Sequence, residues 1–197
     1  IFRLIGAEMY RAMALDTPSL IVDRGVALHK LARLATLATA GDGYLNFMGN
    51  EIGQFREWDE KREQDWNLLD FPIHEAFYHY MKELNHLYLD HPALWEKDFN
   101  RDGFTWLDCH QEGRCIYTFE RRSKDQRLLA VFNFSDQKQE HYQVAVPGAK
   151  MIKPLLSTDW KIYGGGKAVS KRRKKVAKGV AEFTLAPFSG EIYVIEE

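Results

Sequence analysis

The chain has 197 residues, of which 45% are hydrophobic and 28% are charged, a composition typical of a folded globular protein rather than a disordered one. Its formal net charge of −1 provides no overall attraction to nucleic acid or to an anionic membrane surface. No apolar run reaches the roughly 20 residues that a membrane-spanning helix requires. The length allows one ordinary domain or two small ones. The sequence begins with Ile1 rather than methionine, and we expect it to be a cut, processed or separately expressed part of a longer protein.

The first hundred residues carry helical patterns. Apolar residues recur at helical spacing after Asp23, so we expect Asp23 to cap a helix that Gly41 and Gly43 stop. A second helix is predicted to begin at Pro72, because a missing N–H costs nothing in a first turn, and to end before Pro92. Residues 1–14 are also expected to be helical.

One short apolar segment, Tyr44–Met48, lies between the two predicted helices. It lacks the alternation of a half-exposed strand, which favours a strand of a parallel sheet covered on both faces. No partner strand is visible nearby in the sequence, and a lone buried strand would leave its backbone N–H and C=O groups unpaired. We therefore expect the partners of this strand to lie outside this sequence.

Beyond residue 100 the sequence changes to short β-rich runs that end in turn residues. Their spacing of roughly ten residues predicts an antiparallel sandwich or barrel that is large enough to bury its own core. The predicted strands are Phe104–Cys109, Cys115–Arg121, Leu128–Phe134, His141–Val146, Met151–Leu156, Lys161–Tyr163, Val180–Leu185 and Glu191–Ile195. The connection at residues 98–103 is too short for a free tether, so the helical and β parts should pack together.

The two cysteines, Cys109 and Cys115, flank a turn-like stretch. We expect free thiols, with a disulfide across a hairpin as the alternative. A zinc site is not expected, because no Cys or His partner stands at ligand spacing.

The segment that follows Tyr44–Met48 is dense in polar and aromatic residues. They are Asn50, Glu51, Gln54, Arg56, Glu57, Trp58, Asp59, Arg62, Asp65, Trp66 and Asn67. In barrel enzymes the loops at the carboxyl ends of the strands build the active site, so we expect this loop to lie near a sugar substrate. In the alternative interpretation, the two tryptophans belong to the core and the charged residues form ion pairs that fix a long loop. A self-contained glycosidase is not expected, because a retaining mechanism needs a second carboxyl group about 5–5.5 Å from the first, and no other strand supplies one.

Five segments resemble those of a known family and its superfamily. The sequence Phe-Met-Gly-Asn-Glu-Ile-Gly-Gln at residues 47–54 resembles the Phe-Met-Gly-x-Glu-Phe-Gly motif of the 1,4-α-glucan (glycogen) branching enzymes, with Ile52 in place of the usual Phe. The segments at residues 57–59 and 65–69 favour branching enzymes over plain amylases. Leu129–Ser135 and Leu185–Ser189 resemble the all-β C-terminal domain of the α-amylase superfamily.

The resemblance implies an α+β chain in two parts. Residues 1–100 would be the C-terminal part of a catalytic (β/α)8 barrel, contributing helices and one strand. Residues 101–197 would be the antiparallel all-β sandwich domain of α-amylase type.

The resemblance also implies a cytoplasmic enzyme of glycogen synthesis that cleaves α-1,4 bonds and forms α-1,6 bonds by retaining transglycosylation, without a metal or organic cofactor. The family's catalytic carboxylates match no position here, so we assign no catalytic residue and expect the chain alone to be inactive. Glu51, Gln54 and Trp58 are the expected substrate-binding residues. The alternative function is a non-catalytic α-glucan-binding or structural module.

The implied partners are α-glucan chains, such as glycogen or amylose, and the missing N-terminal part of the same enzyme. Nucleic acid and membrane are not expected as partners. Apolar barrel surface left uncovered would drive association, so we expect a homodimer or a rearranged N-terminal third.

Two further features lie in the β part. A basic run, Lys167, Lys171–Lys175 and Lys178, departs from the family pattern. We expect it to be a solvated hairpin or loop, with an anion contact as the alternative. We expect Trp95, Trp106 and Trp160 to be packing residues. The alternative is an exposed sugar-binding aromatic, for which Trp160, beside a glycine-rich loop, is the best candidate.

Overall fold

The computed structural model describes residues 14–15, 17–39, 41, 45–56, 58–110 and 113–197. The helix expected over residues 1–14 lies outside these ranges except for Ala14, which is in a turn.

The first predicted helix is present but begins earlier than expected. Residues Ile21–Val26 wind as a π-helix and continue into α1, Ala27–Thr39. The N-cap position of the π-helix is Leu20, and Asp23 lies in its first turn, so the predicted cap at Asp23 is wrong. The preceding 3-10 turn, Pro18–Leu20, already sets a helical backbone, since proline is well suited to the first turn of a helix.

The second helix, α2, spans Pro72–Asp90 and confirms the predicted bounds. Proline stands in its first turn, and another proline two residues after its end stops it. One face of α2 is buried through Phe77, Tyr80, Met81, Leu84 and Leu87. Five short 3-10 helices complete the described helical structure beyond α1: Asn50–Ile52, Trp66–Asp70, Pro92–Leu94, Arg101–Gly103 and Lys161–Tyr163.

The second part of the chain forms two antiparallel sheets. The strands are β1 Phe104–Asp108, β2 Ile116–Arg122, β3 Arg127–Asn133, β4 Gln139–Ala145, β5 Met151–Ser157, β6 Lys174–Lys175, β7 Val180–Leu185 and β8 Ser189–Glu196. One sheet has the order β1-β2-β3-β8-β5-β6, and the other is the pair β4-β7. All the pairings between these strands are antiparallel, which confirms the predicted all-β antiparallel domain.

The six-stranded sheet is the middle of three layers. Along β3, Leu128, Ala130 and Phe132 face the core shared with α1 and α2, whereas Leu129 and Val131 face the core shared with β4 and β7. Because both faces of β3 are covered, its sequence is a continuous apolar run. An antiparallel strand with one face in water would instead alternate apolar and polar residues. The outer strand β7 shows that alternation, with every second residue buried.

Helices and sheet approach closely at Gly190 on β8. A Cβ added at Gly190 would stand 2.6 Å from Cδ1 of Phe132 and 2.9 Å from Cδ1 of Leu31 on α1. Since real contacts are not this short, glycine is what allows α1 to lie against the sheet.

Hydrogen bonds also connect the helices and the β part at this interface. The ammonium of Lys30 on α1 donates 2.8 Å bonds to the carbonyls of Thr158 and Tyr163, and the hydroxyl of Tyr80 on α2 donates to the carbonyl of Lys30 at 2.7 Å. The helical and β parts therefore pack together, as the short connection predicted.

Two local expectations are wrong, and one strand was not expected. Residues 45–47 belong to no regular element and Met48 lies in a turn, so the described part of the Tyr44–Met48 segment is not a strand; Tyr44 lies outside the described residues. A strand exists only through hydrogen bonds to a neighbour, and no neighbour stands beside these residues in the part of the chain that the structure describes.

The segment Lys161–Tyr163 is a 3-10 helix rather than a strand. Gly164 ends it with φ +76°, and Tyr163 is buried between Trp160 and Tyr80. The two-residue strand β6 was not predicted, because an exposed lysine pair has no strand signature.

Candidate functional site

The polar loop after residue 45 begins with a 3-10 turn. Asn50–Ile52 forms this turn between two glycines in the left-handed region, Gly49 at φ 86° and Gly53 at φ 63°. Ile52 is fully buried, and the Nδ1 atom of His74 on α2 lies 2.7 Å from its carbonyl oxygen. The turn is therefore anchored to α2, and Glu51 in its middle is held at a defined place.

Gln54 is almost completely buried and joins distant parts of the loop. Its Oε1 atom accepts a 3.0 Å bond from the backbone N–H of Asp65, and its Nε2 atom donates a 3.1 Å bond to the carbonyl of Arg56. Gly49 leaves room for the side chain, because a Cβ there would stand 3.0 Å from the Cβ of Gln54. Gln54 thus closes the loop at its base.

An ion pair between Arg56 and Asp65 also connects distant parts of the loop. Nε of Arg56 donates to both carboxylate oxygens of Asp65, at 3.0 and 2.9 Å, and the Nη2 atom of Arg56 bonds the carbonyl of Glu63. Arg62 and Asp59 form a longer and more exposed pair of 3.7 Å. The ion pairs of the alternative interpretation are therefore present.

The aromatic rings of the loop do not form a core. Trp58 is 38% exposed and Trp66 is 46% exposed. Trp58 meets the edge of Phe47 with ring centroids 5.9 Å apart, which fixes its orientation while leaving part of its surface open. Glu57 lies outside the described residues.

Of the three predicted substrate-binding residues, two offer side chains that are at least partly open. Glu51 is half-buried and its Oε2 atom accepts a 3.2 Å bond from Asn46, and Trp58 is exposed. Gln54 is 1% exposed, and both ends of its amide bond the loop backbone. The structure brings these residues into one loop, and their binding role stays a prediction.

Buried oxygen acceptors without a hydrogen-bond donor gather in the same loop. Within the described residues they are Oδ1 of Asn46, Oδ1 of Asn50 and Oε1 of Gln64. Leaving such a group unpaired in a folded protein costs on the order of 1–3 kcal/mol, so these oxygens are suited to receive donors from another molecule or chain segment.

Three carboxylates of the loop are engaged in fixing it. Asp65 is bound by Arg56, Asp59 by Arg62 and by the backbone N–H of Lys61, and Glu51 by Asn46. Within the described ranges, no three His, Cys, Asp or Glu side chains gather as a metal site. The chemistry that this arrangement can perform is recognition through a tryptophan face and hydrogen bonds.

The supporting roles of two residues were not predicted from the sequence. Asp65 was predicted as a polar member of the loop and as the start of the motif at residues 65–69, but not as a residue that fixes the loop, and His74 was not singled out. Their partners are 9 and 22 residues away, so no local pattern could have identified them.

Three further expectations concern tryptophans and cysteines outside the loop. Trp160 is 5% exposed and stacks on Tyr163, so it is a packing residue as expected, and the alternative of an exposed sugar-binding aromatic at this position is wrong. On the β part, Trp106 is instead 48% exposed. Cys109 and Cys115 are free thiols, as expected.

The fold and the comparisons define the class of the β part first. Residues 106–196 match the family described as the alpha amylase, C-terminal all-beta domain. An alpha-amylase from Geobacillus thermoleovorans, solved with acarbose bound, has a similar fold with a TM-score of 0.60 and 19% identity, over 91% of this chain and 36% of that one.

Relatives that match a longer part of the chain define a more specific group of enzymes. The 1,4-alpha-glucan branching enzyme GlgB of Bacillus cereus (strain AH820) is 37% identical over 157 residues, which are 75% of this chain and 24% of that enzyme. The corresponding enzyme of Nitrosomonas eutropha is 40% identical over 122 residues, 61% of this chain and 17% of the enzyme. The expected resemblance to the C-terminal portion of the 1,4-α-glucan branching enzymes of the α-amylase superfamily is confirmed.

The match covers a limited part of these relatives. The chain spans about a quarter or less of the length of the two branching enzymes just named. Among the helices of the described residues, none combines the length and apolarity needed to cross a membrane.

Proposed function

We propose that this chain is the C-terminal part of a 1,4-α-glucan branching enzyme that cleaves α-1,4 and forms α-1,6 glucosidic bonds in cytoplasmic glycogen synthesis. Residues 1–100 would complete a catalytic (β/α)8 barrel, and residues 101–197 would be its C-terminal β domain. The observation that carries this proposal is the 37% identity to a branching enzyme over three quarters of the chain.

The physical state of the loop supports a barrel that is completed elsewhere. Residues 45–47 belong to no regular element although Leu45 and Phe47 are apolar, and three buried acceptors in the loop have no donor within the described residues. Neighbouring barrel strands would pair with residues 45–47, and neighbouring strands and loops would supply donors to the buried acceptors.

The loop is proposed to border the α-glucan. Trp58 would stack on a glucose ring and Glu51 would accept a hydrogen bond from a sugar hydroxyl. Gln54 would act by positioning, since it holds the loop at its base.

Affinity electrophoresis in gels that contain glycogen tests this role. We expect the migration of the chain to be retarded by glycogen. The variant Trp58→Ala should lose most of this retardation, because the exposed Trp58 ring is the proposed stacking surface for a glucose ring. Trp106→Ala is the matched control, since it removes an equally exposed tryptophan from β1.

The outcomes separate the two candidate functions. If Trp106→Ala loses the retardation while Trp58→Ala keeps it, the chain is an α-glucan-binding module that works through its β domain. If wild type migrates equally with and without glycogen, the proposed glucan contact is wrong.

A homodimer is also proposed through surface that the rest of the barrel would cover. Large apolar side chains of the helical part are exposed, among them Leu45, Phe55 and Phe71. Such surface promotes association, and sedimentation velocity showing only monomer at high concentration would contradict it.

A further inference from the structure

A cavity opens between the two sheets of the β domain, beside the basic run. Its volume is about 310 Å³, at the lower end of the range for small-molecule sites. It is lined from both sheets and from the loop of residues 167–172 that precedes β6.

The floor of the cavity is a closed network around one buried carboxylate. Glu191 on β8 is 5% exposed, and its Oε1 atom accepts bonds from Nζ of Lys167 at 2.9 Å and from Oγ of Ser157 at 3.2 Å. The hydroxyl of Tyr193 donates to Oε2 of Glu191. Burial, reinforced by this carboxylate, raises the pKa of Tyr193 well above its ordinary value, so the phenol stays a donor. The charge of Glu191 is therefore balanced within the floor by Lys167.

The mouth of the cavity carries two further cations. Lys174 belongs to an exposed strand, yet its ammonium turns inward and lies 5.2 Å from the ring centroids of both Phe183 and Tyr193. Its Nζ atom donates a 3.2 Å bond to the hydroxyl of Tyr193, which leaves other N–H groups for a ligand. Arg172 lines the cavity beside it.

The remaining acidic group at the mouth is Glu182, and it is engaged elsewhere. Its Oε1 atom pairs with Nδ1 of His141 at 2.8 Å, on the exposed side of the β4-β7 sheet. In the basic run, Arg173 pairs with Glu196, and it does not line the cavity. The lining thus holds three cations, Lys167, Arg172 and Lys174, against the two carboxylates Glu182 and Glu191, which leaves an excess of positive charge at the mouth.

We propose that this cavity binds the dianionic phosphoryl group of a small phosphate ester. Lys174 and the guanidinium of Arg172 contact the phosphoryl oxygens, and the aromatic wall and Ser170 accommodate the rest of the molecule. The basic run then has a specific role, because three of its members line the site: Lys167 in the floor, and Arg172 and Lys174 at the mouth.

Isothermal titration of the full chain at constant ionic strength tests this proposal, with inorganic phosphate, glucose 6-phosphate and neutral glucose as separate probes. We expect the two phosphate probes to bind and glucose alone not to bind. Arg172→Gln and Lys174→Met should each weaken binding about tenfold or more, the usual effect of losing a charge-assisted hydrogen bond. Methionine keeps an apolar stem over Phe183 and Tyr193, so the fold should survive.

The matched control is Lys171→Met, which removes one charge from the same run at an exposed position outside the cavity. Unchanged affinity in this control supports a defined site. Tighter binding of glucose 6-phosphate than of inorganic phosphate identifies the ligand as a phosphorylated sugar, and equal binding identifies free phosphate. No binding of either phosphate probe, an equal loss in Lys171→Met, or binding of neutral glucose alone would overturn the proposal.

Discussion

Replacing Arg121 with methionine is expected to lower the free energy of unfolding by about 3–5 kcal/mol, the usual result of removing one partner from a buried ion pair. Arg121 on β2 is 2% exposed. Its guanidinium donates to the carbonyls of Ala38, at the end of α1, and of Leu94, after α2, at 2.7 and 2.9 Å. It also pairs with Asp98, whose side chain is 5% exposed. The variant would leave that carboxylate buried without its cation, and two carbonyls without their donor.

Urea denaturation measures the effect, and Arg114→Met at an exposed turn is the control, expected to change stability by no more than about 0.5 kcal/mol. In the double variant Arg121→Met, Asp98→Asn we expect part of the stability to return, because no buried charge remains. A loss below about 1 kcal/mol in the single variant would show that Arg121 does not hold helices and sheet together.

The second large effect is a pH dependence that belongs to Lys30. Burial lowers the pKa of this amine from 10.5 to about 8, with a smaller opposing influence from Asp159. Between these two pH values the unfolded chain binds a proton that the folded chain has lost, so wild-type stability rises with pH there relative to Lys30→Met. At 1.36 kcal/mol per pKa unit, the total rise is about 3 kcal/mol.

Parallel urea titrations of wild type and Lys30→Met from about pH 7 to pH 10.5 measure this difference directly, because the other titrating groups are common to both proteins. Lys82→Met, on the exposed face of α2, should show a flat difference over the same range. A flat difference for Lys30→Met as well would mean that its ammonium is not buried against the β domain.

The elements that the sequence predicted best are those whose signal is local. Helix α2 combines a proline in its first turn, one apolar face and a second proline after its end, and each acts within a few residues. Seven of the eight strands that the structure describes in the β domain were predicted from turn residues and apolar runs, β7 also from its alternation, whereas β6 was not.

The features that were missed depend on distant partners. Tyr163 is buried where α2 brings Tyr80 against it, and Trp160 stacks on Tyr163 in turn, which no pattern near residue 160 reveals. The Tyr44–Met48 segment has the composition of a buried strand, but its described residues have no neighbour to pair with. Lys30 and Arg121 look like surface cations in the sequence, and only the packing of helices on the sheet buries them.

The candidate loop shows the same division. Its position after an apolar segment, its tryptophans and its charged residues were visible in the sequence, whereas the bond between Gln54 and the backbone of Asp65 was not. Residue type indicates what a loop can recognise, but the contacts across eleven residues decide which side chains stay open.

A branching assay on the purified chain tests most directly whether these residues lack the catalytic carboxylates of the enzymes they resemble. The chain is incubated with amylose, iodine absorbance is followed, and α-1,6 linkages are counted by NMR, with the full-length Bacillus cereus relative as the positive control. We expect the absorbance to match the buffer blank while the control enzyme lowers it. A fall in absorbance with new α-1,6 linkages in the sample of the chain alone would contradict the proposed division of the enzyme.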